Sequence, residues 1–207
     1  MKRIIVLLFI VLAGYTVKAQ PAAGKVFLGG DLGLSVETNK YKSGSTTTKN
    51  YTSTSIALLP QAGFFVSDKI AIGAQVGLRS VIYKYPDASL EKITNTTVVI
   101  NPFARYYLIS GTGGIFAEAN MGIEAGKVKN SYNTNNTTEK NITTFSFGVA
   151  PGAYYYITPK IAIECKFGWA GFQSYIEKHN DNDKSITNDF GLNLNPSSLS
   201  LGITFTL

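Results

Sequence analysis

The sequence contains one cysteine (Cys165) and one histidine (His179) in 207 residues. A single cysteine forms no disulfide within the chain, and the two residues together cannot build a zinc cluster. Charge is also scarce. Asp, Glu, Lys and Arg make up 15% of the chain, against roughly 25% in a soluble domain. With 44% hydrophobic residues, the chain is not of the disordered class. Long apolar runs are missing too. The run Ile4 through Gly14 is eleven residues, short of the roughly 20 that a membrane-crossing helix needs. Residues 141–159 carry no charge, but they alternate and contain Pro151 and Gly152, which argues against a helix there. Phosphate-binding loops, dinucleotide fingerprints and a G-x-S-x-G turn are absent.

The N-terminus reads as a targeting segment. Lys2 and Arg3 precede the apolar run, and Val17-Lys18-Ala19 places small residues at positions −3 and −1 of a cut. This is the pattern of a cleaved secretory signal covering 1–19, with Gln20 starting the mature chain. Loss of Lys2, Arg3 and Lys18 lowers the formal charge from +6 to +3. The remaining basic residues are scattered among acidic ones, so no nucleic-acid partner is expected.

The rest of the chain alternates with period two. In VFLGGDLGLSV at 26–36, Val26, Leu28, Leu32, Leu34 and Val36 share one parity and Asp31 and Ser35 the other. That is a strand with one apolar face. Seven more segments behave alike: about 51–65, 70–83, 95–108, 115–127, 143–157, 161–175 and 199–207. In the seventh, Ile161, Ile163, Cys165, Phe167, Trp169 and Tyr175 fall on the apolar parity. Short turns follow segments two, four and six. Longer polar stretches rich in Asn, Thr, Ser and Lys follow the others, at about 37–50, 84–94, 128–142 and 176–189. Short turns at one end and long loops at the other fit an up-and-down barrel in an outer membrane.

Two hairpins repeat. Residues 60–72 read PQAGFFVSDKIAI and residues 151–163 read PGAYYYITPKIAI, while PFARYYL at 102–108 echoes their first half. The aromatics beside the turns suit a girdle at a membrane interface. Pro60, Pro102 and Pro151 fit poorly, because each removes a ladder donor inside a strand. Leu192 and Leu194 are out of phase with Leu199 onward, which places a bulge near Pro196-Ser197.

The polar parity carries small residues and a few charges of both signs. Asp31, Arg79, Arg105, Glu118, Glu164 and Lys166, with Lys25 and Glu124 nearer the rims, are expected to form a salt-bridged interior. Large apolar residues outside then meet lipid, which requires every backbone group to be paired and the sheet to close. The expected fold is all-β: an eight-stranded antiparallel up-and-down transmembrane barrel over 20–207.

These features resemble the outer-membrane beta-barrel domain family, the porin-family barrels of eight strands like OmpA and OmpX. The resemblance covers about 24–207. It is carried by the hairpin GFFVSDKIAIGAQVGL at 63–78 and by the ending SLGITFTL. Ser200, Gly202, Phe205 and Leu207 are similar to the C-terminal signal read by the barrel assembly machinery, with Leu where many members have Phe. The resemblance implies location in the cell outer membrane, outer-membrane lipid and the assembly machinery as partners, and a monomer.

Chemistry is sparse. His179 stands beside Glu177, Asp181 and Asp183, with Ser174 and Ser185 near in sequence, and reads as a solvated loop histidine. Asp181, Asp183 and Asp189 lack EF-hand spacing. Asn50, Asn95, Asn136 and Asn141 in N-x-S/T triplets read as loop polarity, and Cys165 as a small lipid-facing hydrophobe. No enzyme activity, metal or cofactor is expected. The leading reading is a structural or loop-mediated surface-interaction protein with a plugged interior and an extracellular ligand at its loops. A narrow porin or small-solute transporter and a soluble lipocalin-like binder are the alternatives.

Overall fold

The computed structural model describes residues 21–43, 46–86, 90–132, 137–178, 183–193 and 199–207. The expected signal segment, Asn136, His179, Asp181 and the Pro196-Ser197 bulge lie outside them. Among the described residues, ten antiparallel strands form one sheet. They are β1 (Val26–Ser43), β2 (Thr46–Ser67), β3 (Ile70–Lys84), β4 (Leu90–Tyr107), β5 (Gly113–Tyr132), β6 (Thr137–Thr158), β7 (Ile161–Lys166), β8 (Trp169–Lys178), β9 (Lys184–Asn193) and β10 (Ser200–Thr206).

The fold is all-β, and its ten strands arise from the eight expected segments in a simple way. The seventh segment is interrupted at Phe167-Gly168, where Gly168 takes φ +75°, a left-handed conformation that glycine adopts without steric cost. Below the interruption β7 pairs with β6 and β10. Above it β8 pairs with β6 and β9. β9 runs through the second half of the expected 176–189 loop. The strands β1 to β6 pair in sequence order, and β10 pairs with β1 from Phe27↔Thr206 to Gly33↔Ser200. Beyond Gly33, β1 pairs with β2 alone among the described residues.

The strands also outrun the expected segments. The β1–β2 ladder continues to Ser43↔Thr46 and the β5–β6 ladder to Ser131↔Thr137. Much of the expected loops 37–50 and 128–142 is therefore paired strand, consistent with their many threonines, a residue that favours strands.

Directly paired residues share a face, and the two faces differ in kind. Leu32 (56% exposed), Ile72, Ile123 and Phe167 all lie on the exposed outer face. The inner face buries Phe27, Asp31, Gln61, Gln75, Arg105, Glu118 and Glu164. Side chains from non-adjacent strands meet there: Phe27 of β1 contacts Phe103 of β4, and Tyr107 of β4 contacts Tyr154 of β6. The sheet therefore curls around this core.

The prolines follow one rule. Pro60 pairs with Gly30 of β1, but the β2–β3 pairing skips from Leu58↔Leu78 to Gln61↔Gln75 with the register unchanged. Pro102 pairs with Ala74 of β3, but the β4–β5 pairing skips from Ile100↔Ile123 to Phe103↔Asn120, again in unchanged register. Pro151 pairs with Ala117 of β5, and on its other side lies the interruption between β7 and β8. Each proline thus sits where the ladder to the following strand skips, so its missing N–H leaves no acceptor stranded inside a continuous ladder.

The repeated hairpins also fold alike. Ser67 Oγ accepts from Lys69 N and Ile70 N, and Thr158 Oγ1 accepts from Lys160 N and Ile161 N. A register shift precedes each turn, at Phe65/Ser67 and Tyr156/Thr158. A hydroxyl that caps the turn backbone explains why Ser and Thr stand at equivalent places.

Candidate functional site

The inner face is layered along the strands. At the short-turn end, Phe27, Phe65, Phe103, Tyr107, Phe116, Tyr154 and Tyr156 form one buried cluster. Tyr154 meets Tyr107 edge-on at 5.3 Å and Tyr156 at 5.8 Å. A Cβ at Gly152 would collide with the Phe116 ring, so the glycine gives that ring its seat. The expected aromatic girdle is therefore only half present. In each run alternate residues part company: Phe64, Tyr106 and Tyr155 point outward, while Phe65, Tyr107, Tyr154 and Tyr156 fill the interior. Period two leaves no other outcome for consecutive aromatics in a strand.

An ion-pair layer lies on these rings. Arg105 Nε donates to Glu118 Oε2 at 2.7 Å, and Arg105 Nη2 donates to Gln61 Oε1 at 3.1 Å. Arg105 Nη1 lies 2.9 Å from Glu164 Oε2, yet neither atom has a well-aligned hydrogen bond, so this contact is one of charge. The guanidinium also packs on Phe116 at 4.6 Å and Phe103 at 4.9 Å, a favourable cation–π arrangement when desolvated. Lys166 Nζ bridges Asp31 at 2.6 Å and Glu118 at 3.1 Å. Gln75 donates to Asp31 and to Gln61, Asn101 donates to Gln75, and Thr204 donates to Glu164.

Five of the six residues named from sequence thus meet in one cluster. It sets three carboxylates against two cations, held together by neutral amides. Arg79 stands apart, 41% exposed at its side chain and 3.4 Å from Glu124. Thr97 donates to the same carboxylate. Lys25 is exposed and outside the cluster, because it precedes β1. The glutamines and the rings of Phe116, Phe103 and Phe27, the last at 5.8 Å from the guanidinium, complete the layer. The amides were visible on the polar parity, but their links across strands were not.

Above the ion pairs is a cavity of about 390 Å³, bordered by Gln75, Asn101, Asn120, Gln173, Trp169 and Lys166 among others. Trp169 corrects the sequence reading, which placed it with Tyr175 on the outer face. The interruption at Gly168 inverts the parity of β8, so Trp169, Gly171, Gln173 and Tyr175 face inward and Phe172 pairs with outward Phe147.

In β10, Ser200 and Gly202 face inward and Phe205 outward, and Leu207, just past the strand, is exposed. A Cβ at Gly202 would strike the Asp31 carboxylate. Leu207 N donates to Val26 O at 2.9 Å, which ties the end of the chain to the start of β1. Cys165 faces outward opposite Leu201. Asp183 and Asp189 are exposed, and Glu177 pairs with Lys140 at 2.7 Å. Among the described residues no group of His, Cys, Asp and Glu is arranged to hold a metal.

No curated protein matches the sequence. Solved structures similar to the chain include two outer-membrane proteins. One is the N-terminal beta-barrel domain of Pseudomonas aeruginosa OprF, at 11% identity and TM-score 0.40, covering 89% of this chain and 98% of that one. The other is Ail, the attachment invasion locus protein of Yersinia pestis, at 10% identity and TM-score 0.43, covering 92% and 100%. Residues 8–205 match the family described as outer membrane protein beta-barrel domain, and with nearly the whole chain inside that match, the protein belongs to this outer-membrane family.

Proposed function

We propose that this small outer-membrane protein closes as an eight-stave transmembrane barrel, β7 with β8 and β9 with β10 each forming one interrupted stave. We propose further that it acts without chemistry, as a structural and surface-interaction protein that presents its long-loop end. The observation that carries this reading is the filling of the short-turn end. Seven buried aromatic rings lie beneath a salt-bridged layer, which leaves ions and sugars no wide path through. Buried charges that are mutually paired favour such a packed interior, and an eight-strand barrel has room for side chains or one small ligand. Bulky aliphatic residues outside, with charged and amide side chains buried inside above the aromatic rings, disfavour a lipocalin-like core. Ser200, Gly202, Phe205 and Leu207 serve in this reading as the signal for the assembly machinery, and residues 1–19 as the export signal removed before folding.

Planar-bilayer recording and liposome swelling test the stopper. The refolded protein, verified by its faster migration when unboiled, conducts no stable large steps and admits no sugar. Stable conductance with swelling in sugar solutions overturns this reading and establishes the narrow porin.

A further inference from the structure

We infer that the polar cavity above the ion pairs binds a neutral polyhydroxylated ring, a pyranose sugar, with Trp169 as its stacking platform. The inference rests on the stoppered-barrel reading and adds a ligand class to it.

The chain spends its only tryptophan inside the sheet. A tryptophan in a membrane barrel is well placed in the interfacial belt, where ring and N–H are both satisfied. Here a strand interruption and a left-handed glycine at 168 turn it inward instead. Its seat is built as well. Gly148 and Gly171 are direct partners across β6 and β8. A Cβ at Gly148 would lie 2.5 Å from indole Cε2 and Nε1, and one at Gly171 would lie 2.8 Å from Cζ2. The indole therefore lies along the wall over this glycine pair, and Trp169 lines the cavity.

The chemistry of the lining narrows the ligand. Each charged group of the cavity already has a partner of opposite sign: Lys166 with Asp31 and Glu118, and Arg79 with Glu124. A charged ligand would have to displace one of these partners and leave it buried and uncompensated. What remains for a guest is neutral hydrogen bonding from Asn101, Asn120 and Gln173 and one flat apolar surface. A pyranose matches both, with hydroxyls around its edge and C–H groups on its face. The volume of about 390 Å³ lies at the small end of the range of about 300–1,000 Å³ for ligand pockets, which suits one or two rings.

The single tryptophan also provides the readout. Its emission is followed in the refolded full chain during titration with glucose, N-acetylglucosamine and maltose, with lysine and acetate as charged probes. The expected result is a saturable change with at least one sugar and none with the charged probes. Asn120→Leu weakens that binding by about tenfold, as expected for a buried hydrogen bond lost. Calorimetry, which does not need the reporter, shows binding retained in Trp169→Phe and lost in Trp169→Leu. Unboiled migration verifies the fold of each variant. No saturable response to any of the three sugars in folded protein overturns the site, as does response to charged probes alone or equal binding by Trp169→Leu. A barrel that conducts nothing and binds no sugar defeats this inference while leaving the stopper intact.

Discussion

Arg105 and Glu118 are direct partners across the β4–β5 ladder, and Arg105 Nε donates to Glu118 Oε2 at 2.7 Å. The pair is joined by Glu164 from β7, so one guanidinium holds two carboxylates from strands that are not neighbours. It is the cross-brace of the interior.

Removing that brace leaves buried Glu164 with no cation and Glu118 with Lys166 alone. Arg105→Met is expected to lose about 3–5 kcal/mol, the usual cost of breaking a buried pair from one side. Arg105→Lys keeps the charge but not the planar fork, and loses less. The midpoint of urea unfolding, read by the migration of unboiled samples, checks both. A loss within about 0.5 kcal/mol, the range of ordinary surface substitutions, would contradict a bracing role.

The proline rule gives a paired test. Pro60 sits where the β2–β3 ladder skips, whereas Ala62 is paired on both sides, with Leu28 and Ala74. Pro60→Ala is expected to change stability by less than about 1 kcal/mol, since the restored N–H gains no continuous ladder. Ala62→Pro is expected to cost several kcal/mol, because lipid offers no substitute partner. Equal effects at the two positions would show that the skip does not accommodate the proline.

Depth in the membrane gives a third. Met121 is 62% exposed on the outer face of β5, in the middle of an apolar stretch that runs from Ile115 to Ala125. Met121→Arg should cost about 2–4 kcal/mol, as arginine does at a bilayer midplane. Lys127, on the same face and paired with Glu139 at 3.3 Å, lies past that stretch. Lys127→Met should change stability by less than about 1 kcal/mol, the ceiling for exposed pairs. Refolding yields into vesicles with the same urea assay compare them, and equal costs would contradict the placement of the apolar band.

Alternation alone made the outer face legible. Leu32, Ile72 and Ile123 point where period two puts them, because a regular strand allows nothing else, and Phe167 keeps the outward side just past the end of β7. The polar parity likewise exposed Asp31, Arg105, Glu118, Glu164 and Lys166 as inner residues. What escaped was whatever breaks the period. Gly168 is one glycine among 20, and nothing local marks its positive φ or the turn that swings Trp169 inward. The stopper escaped for another reason. Phe65, Tyr107 and Tyr154 are adjacent to outward aromatics, so each run carries the composition of a girdle although its alternate residues turn inward. The proline skips became visible only with both neighbouring ladders in hand.

Closure between the first and last strands is tested most directly by a disulfide. Leu32 pairs with Leu201 across β1–β10 and with Leu58 across β1–β2. Direct partners lie within the roughly 4.4–6.8 Å between Cα atoms that a disulfide spans. Cys165 is itself opposite Leu201, so the pairs are built on Cys165→Ala. Under mild oxidation in outer membranes, Leu32→Cys with Leu201→Cys should crosslink as readily as the control Leu32→Cys with Leu58→Cys. Crosslinking of the control pair alone would show that the first and last strands do not meet, and the closed barrel with its stoppered interior would fall.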